Sequence, residues 1–328
     1  MPSSKELRRR IKSIRSTRQI TKAMELVAAA KMRKAQMAAL ASRTYAKLAW
    51  ELIQSVSAKA HPEIHKLLRQ PDEIRSVGIL LITSNRGLIG GFNNNIINKA
   101  LEYAAPSLNP SHQGREKGFK SSSPPVSLRE ILTMGEGRRG EGVVFITIGK
   151  KGRDAIRKRG YTIAAEFEKK DTLAGAEEFL PVARLLIEDF VNCKYDKVVL
   201  VYMDFITTLR QQPRVRELLP LTPFPSLPWR GEGLRERSNL VNLDYLFEPS
   251  PDQVLEILLP RLTEMQIYQA YLETDAAEHS ARMVAMKNAS DAAGDLIDEL
   301  NLEYNQERQA AITKEISEIV AGKLALQT

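Results

Sequence analysis

Both ends of the chain are long, uninterrupted helix-forming sequence, and this constrains the fold more than any motif. Neither Gly nor Pro occurs from Ser3 to His61, so about 58 residues at about 1.5 Å rise predict a helix of roughly 85 to 90 Å. From Pro251 to Ala321 the only interior breakers are Pro260 and Gly294, which predicts a second helix of roughly 100 Å with a bend near its start. Ser250 is placed to N-cap that helix, with Pro251 in the first turn and Gln253 at the capping-box position. An ordinary globular core uses helices of about 11 to 12 residues. Helices several times longer span distance or transmit force.

The two ends carry opposite charge. Residues 1–60 hold fourteen Lys and Arg against Glu6, Glu25 and Glu51, whereas residues 252–321 hold five bases against fourteen acids. This favours pairing of one end with the other and disfavours self-pairing. Apolar and small residues recur at steps of three and four in both: Leu7, Ile11, Ile14, Met24, Ala28, Met32, Ala35 and Ala39 in the first, and Leu255, Leu258, Leu262, Met265, Leu272, Met283, Met286, Ala289, Ala293, Leu296, Leu300, Tyr304, Ala311 and Ile316 in the second. The chain returns through the intervening domain, so the helices are expected to lie antiparallel. The second should overhang as a tip bearing Ile316, Ile319, Val320, Leu324 and Leu326.

Between them the pattern changes period. Ser76–Thr83, Gly142–Ile148 and Lys197–Thr207 are buried-strand runs, Thr162–Phe167 is a shorter one, and helical stretches follow at about Phe92–Ala104 and Glu177–Cys193. Alternating strands and helices predict a Rossmann-like open α/β domain with parallel strands. The fold class is therefore α/β, a long antiparallel coiled coil of the terminal helices plus this domain. The expected boundaries are 1–72, 73–249 and 250–328. Residues 106–141 and 222–240 are rich in Pro, Ser, Gly and Arg, lack periodicity and both contain Arg-Gly-Glu-Gly. They read as disordered insertions or as partner-binding loops.

Composition excludes several functions. Cys193 is the sole cysteine and the four His are scattered, so an internal disulfide and a zinc site are not expected, and a reducing compartment is. The apolar runs are strand-sized, short of the ~20 residues that cross a bilayer, and the N-terminus lacks the apolar core of a secretory signal. The basic first helix has the clustered charge of a nucleic-acid arm but few aromatics for stacking, and its acidic partner lies in the same chain. The turn Thr83–Asn93, with Gly87, Gly90 and Gly91, leaves a strand and opens a helix, where a phosphate can bind. Its spacing matches neither G-x-G-x-x-G nor a P-loop. It is expected to be a structural turn that binds no nucleotide.

Three blocks resemble one family, the γ subunit of F-type ATP synthase: Leu7–Met24 continuing through Ala29–Ala35, the turn Asn85–Asn93, and Glu278–Ala289 together with Ile312–Gly322. The resemblance covers nearly the whole chain outside the two insertions. Asn85 stands where the family usually has Asp, Ile89 where Cys is frequent, and Lys323 where a small residue follows Gly322.

The resemblance implies a bacterial, proton-coupled rotor: a central shaft within an α3β3 ring, joined to ε and the membrane c-ring. It would lie peripherally on the cytoplasmic side of the plasma or inner membrane. It implies no cofactor, metal or catalytic residue in this chain, because catalysis belongs to β. By position, Arg308, Gln309 and Thr313 resemble contacts to a loop of β, and Met24 a contact to its acidic lever. Ile312, Thr313, Glu315, Glu318 and Gly322 belong to the C-terminal signature. Apart from the resemblance, a coiled-coil scaffold, a nucleic-acid arm and a nucleotide-dependent enzyme using Gly87–Gly91 remain alternatives.

Overall fold

The computed structural model describes residues 4–59, 66–69, 71, 74–107, 142–169, 175–221 and 251–325. Ser250, Leu326, nearly all of the first expected insertion and all of the second lie outside these residues. The chain divides into two units, one of residues 1–33, 88–90 and 279–328, the other of residues 34–87 and 91–278. Each long helix, α1 (Ser4–Lys59) and α5 (Pro251–Ala325), contributes to both. α5 continues through Pro260 as one helix.

In the first unit the two helices are antiparallel. The Arg8 guanidinium donates to the Tyr304 hydroxyl at 2.8 Å and lies 5.5 Å from its ring centre. Arg18 lies across Gly294, where an added Cβ would sit 3.3 Å from the guanidinium. As α1 ascends from 8 to 18, its partner on α5 descends from 304 to 294. Leu7, Ile11, Ala28 and Met32 of α1 are buried, as are Met286, Ala293 and Ile297 of α5. Leu296, which the spacing puts on the buried stripe, is 48% exposed. Four residues advance a helix by about 400° and three by only about 300°, so Ile297 stays closer to the face of Ala293.

The second unit is built on a five-stranded sheet in the order β3-β2-β1-β4-β5. Its strands are β1 (Ser76–Ile82), β2 (Gly142–Ile148), β3 (Thr162–Phe167), β4 (Lys197–Phe205) and β5 (Gln211–Leu219). The first four pair in parallel, and β5 adds antiparallel to β4. Central β1 is buried at every position, as a strand covered on both faces must be, and so reads as a continuous apolar run. β3 lies at one edge and alternates exposed with half-buried residues.

β5 corrects the expectation of a purely parallel sheet. It is polar and contains Pro213, which an edge strand tolerates and a central one does not.

Three helices complete this unit with the long ones: α2 (Phe92–Ser107), α3 (Lys150–Lys158) and α4 (Leu180–Val191). α2 runs past Ala104 and takes in the first two residues of the expected insertion. The helix expected at Glu177–Cys193 is a 3-10 turn at Ala176–Phe179 followed by α4. Pro181 in the first turn of α4 has no N–H to give, which suits a helix start. The core joins β1, β2 and β4 to α4 and to α5, through Leu80, Ile146, Leu200, Leu186, Leu262 and Tyr271 among others. All eight residues from Tyr271 to Glu278 of α5 are buried.

Candidate functional site

Two places invite a functional reading. The first is the carboxyl end of the sheet, where open α/β folds bind ligands. There Thr83, Ser84 and Asn85 follow β1, and Gly149 follows β2 into α3.

This end is closed by its own hydrogen bonds. The Gly152 N–H donates to Thr83 Oγ1 at 2.9 Å, the Lys151 N–H to the Ser84 carbonyl at 3.1 Å, and the Lys150 N–H to Asn85 Oδ1 at 3.2 Å. Those three amides at the start of α3 are the donors a phosphate would need. On the α2 side, Ser84 N–H donates to Asn93 Oδ1 at 3.2 Å and Asn93 Nδ2 donates to Ser84 Oγ at 2.8 Å.

The glycines that matter most here are two the sequence reading passed over. Gly149 has φ +100°, and a Cβ on it would lie 2.4 Å from the Thr83 carbonyl oxygen; one on Gly152 would lie 2.7 Å from Thr83 Oγ1. Of the three glycines singled out, only Gly90, at φ +58°, occupies the left-handed region, and Gly87 has open space beside it. Gly149→Ala is expected to cost at least about 2 kcal/mol through strain and overlap, and Gly87→Ala less than about 1 kcal/mol. Urea unfolding of the two variants separates them.

Asn85 uses both ends of its amide. Its Nδ2 donates to the Lys169 carbonyl while Oδ1 accepts from Lys150, tying the end of β1 to the start of α3 and the segment after β3. An aspartate has no donor for the Lys169 carbonyl and sets two oxygens face to face. Asn85→Asp is expected to lower stability by about 1 to 3 kcal/mol, read from the denaturant midpoint.

Beyond Asn85, Lys169 is 6% exposed, and its ammonium lies 2.9 Å from Asp275 and 2.6 Å from Glu278 of α5. Burial alone would depress its pKa, but Glu278 and Asp275 outweigh that and hold it above the ordinary lysine range. Sequence alone does not reveal this cluster, because its members are about a hundred residues apart. Among the described residues no group of His, Cys, Asp and Glu is arranged to hold a metal, and no helix is long and apolar enough to cross a membrane.

The second place is the far end of α5. Arg308, Gln309 and Thr313 are exposed within one and a half turns of one another, and every residue from Arg308 to Ile319 is exposed. Ile312, Ile316 and Ile319 are 49%, 56% and 67% exposed. Glu315 and Glu318 are also exposed, and Gly322 lies within the same helix. With Arg8 beside Tyr304, the first turn of α1 is reached near Arg308, and α5 runs on past it. Met24 is half-buried on α1. It is not brought to the Arg308 group: Arg18 already faces Gly294, so Met24 lies some twenty residues away, about 30 Å along the pair.

The profile of the ATP synthase family matches residues 3–121 and 126–326. The chain is 41% identical over 329 residues to an ATP synthase gamma chain of Pelotomaculum thermopropionicum, the match covering 100% of both. It is 38% identical over 328 residues to one of Chloroflexus aurantiacus, covering 99% of each. Among solved structures, the rotor of Euglena gracilis mitochondrial ATP synthase superposes with a TM-score of 0.57 at 17% identity, over 94% of this chain and 98% of that one. The central stalk of the Tetrahymena thermophila enzyme gives 0.54 at 19% identity, over 83% and 99%. Full-length identity to these gamma chains and the family profile agree: the chain belongs to the ATP synthase gamma-chain family.

Proposed function

We propose that this chain is the central-stalk rotor of a proton-translocating F-type ATP synthase, turning within an α3β3 ring and joined to ε and the membrane c-ring. The observation that carries this reading is the stretch Arg308–Ile319, a helix with no residue buried and three isoleucines in the open. A helix of about a dozen residues is marginal in water by itself. One left so bare within a folded chain is suited to a socket supplied by other subunits. Arg308, Gln309 and Thr313 offer polar grips to that socket, Ile312, Ile316 and Ile319 an apolar bearing surface, and Met24 a contact farther down the shaft.

Catalysis would then reside in the partners. The closed carboxyl end of the sheet supports this, since Thr83, Ser84 and Asn85 occupy the amides at the start of α3. Residues 1–72 and 250–328 would serve as shaft and 73–249 as head. Attachment to the c-ring would keep the chain peripheral on the cytoplasmic face of the membrane.

Co-expression with α and β subunits tests the reading. The expected result is an ATP-hydrolysing complex that retains this chain through gel filtration, while the chain alone binds no ATP at micromolar concentration. A chain that stays apart from α and β and binds ATP by itself would favour the nucleotide-enzyme alternative and overturn the proposal.

A further inference from the structure

We propose that α5 is keyed against rotation within the sheet-bearing unit by a collar from Gln269 to Glu278, with Lys169 as its principal positioning residue. The inference rests on the central-stalk reading, since only a shaft under torque needs such a joint. Apolar packing resists withdrawal of a helix from its sleeve but has no direction. Turning the helix about its own axis is opposed by interdigitated side chains and, at a defined angle, by bonds with fixed geometry.

The collar has such bonds on three sides. The Met203 N–H of β4 donates to Thr274 Oγ1 at 3.3 Å. Lys169 binds Asp275 and Glu278 at 2.9 and 2.6 Å. Ser42 of α1 donates to Gln269, whose amide in turn donates to Glu273 at 2.9 Å.

At 100° per residue, Gln269, Thr274 and Asp275 divide the circumference into arcs of about 140°, about 100° and about 120°. Rotation in either sense therefore strains every tie. Lys169 is held at both ends, its carbonyl by Asn85 and its ammonium by the two carboxylates, and it lies 5.1 Å from the centre of the Tyr271 ring. Buried ion pairs often add little stability over well-packed apolar residues, so their distinctive contribution here is angular.

The test uses the assembled α3β3 complex with the full-length chain, in a background free of other cysteines. Cys193, exposed and the only cysteine of the chain, takes the bead. Torque is read as rotation rate against viscous drag, beside ATP turnover without load. Lys169→Met with Asp275→Leu and Glu278→Met removes the two Lys169 ties among the four named above while keeping the interior filled.

Unloaded turnover is expected within about twofold of wild type, while the maximum torque falls to about half. Lys169→Arg should retain most of the torque. Wild-type torque in the triple variant would overturn the inference. If that variant does not assemble, Gln269→Leu with Thr274→Val decides: reduced torque at normal unloaded turnover supports the collar, and unchanged torque refutes it. A wild-type complex that neither hydrolyses ATP nor rotates would instead refute the central-stalk reading.

Discussion

Lys169→Met is expected to lower the unfolding free energy at pH 7 by about 3 to 5 kcal/mol, the usual cost of removing one partner from a buried charged cluster. The methionine fills most of the space, so little of the loss comes from packing. It comes from Asp275 and Glu278, 7% and 6% exposed, which lose the cation that offsets their desolvation.

The direction of pH dependence follows. In the native protein the pKa of Lys169 is raised above the ordinary lysine value, burial being outweighed by Glu278 and Asp275. Its contribution is therefore full below that value and is lost as pH rises through the higher folded pKa. The variant should behave differently, because buried carboxylates that lose a neighbouring cation take up protons more readily. Its deficit should shrink between pH 7 and pH 5. Adding Asp275→Asn and Glu278→Gln should recover much of the loss at pH 7. Urea titrations at the two pH values check this, and a deficit below about 1 kcal/mol at both would mean that the cluster is not charged as drawn.

That cluster also shows where sequence reading stops. Local order was legible: α1 and α5 follow from the scarcity of breakers, and β1, β2 and β4 from apolar runs that only covered strands require. β5 was not, because an edge strand needs neither an apolar run nor every N–H, and Gln211–Leu219 looks like a loop with Pro213 in it. Gly149 and Gly152 were passed over for a related reason. They serve a close approach to Thr83, a residue nearly seventy positions earlier, and no spacing rule records that distance.

Of the candidate site, Arg308, Gln309, Thr313 and Met24 came from resemblance to a family. Burial of the α5 stripe was mostly legible in its spacing. The exposed overhang bearing Ile316 and Ile319 was expected from the greater length of the second helix, but its start at Arg308 was not, since Ala311 and Ile316 continue the spacing that elsewhere on the same helix marks the core.

That exposure makes the functional consequence of changing the helix end separable from stability. Among the described residues Arg308 has no ion-pair partner, and exposed substitutions of this kind usually change stability by less than about 0.5 kcal/mol. Arg308→Ala with Thr313→Ala should therefore leave the melting of the chain unchanged. In the reconstituted α3β3 complex it should lower ATP turnover by about tenfold or more, since a charge-assisted hydrogen bond contributes about 1.5 to 3 kcal/mol and each 1.36 kcal/mol is a factor of ten.

Truncation after Val320 should act differently. A bearing surface needs low friction, and apolar contacts at Ile312, Ile316 and Ile319 remain when the last eight residues are gone. Turnover should then fall by only about twofold. Steady-state hydrolysis by the three complexes distinguishes the roles. If the double variant turns over like wild type while the truncation abolishes activity, the grip lies at the extreme tip, and the division between polar grips near Arg308 and an apolar bearing beyond them is wrong.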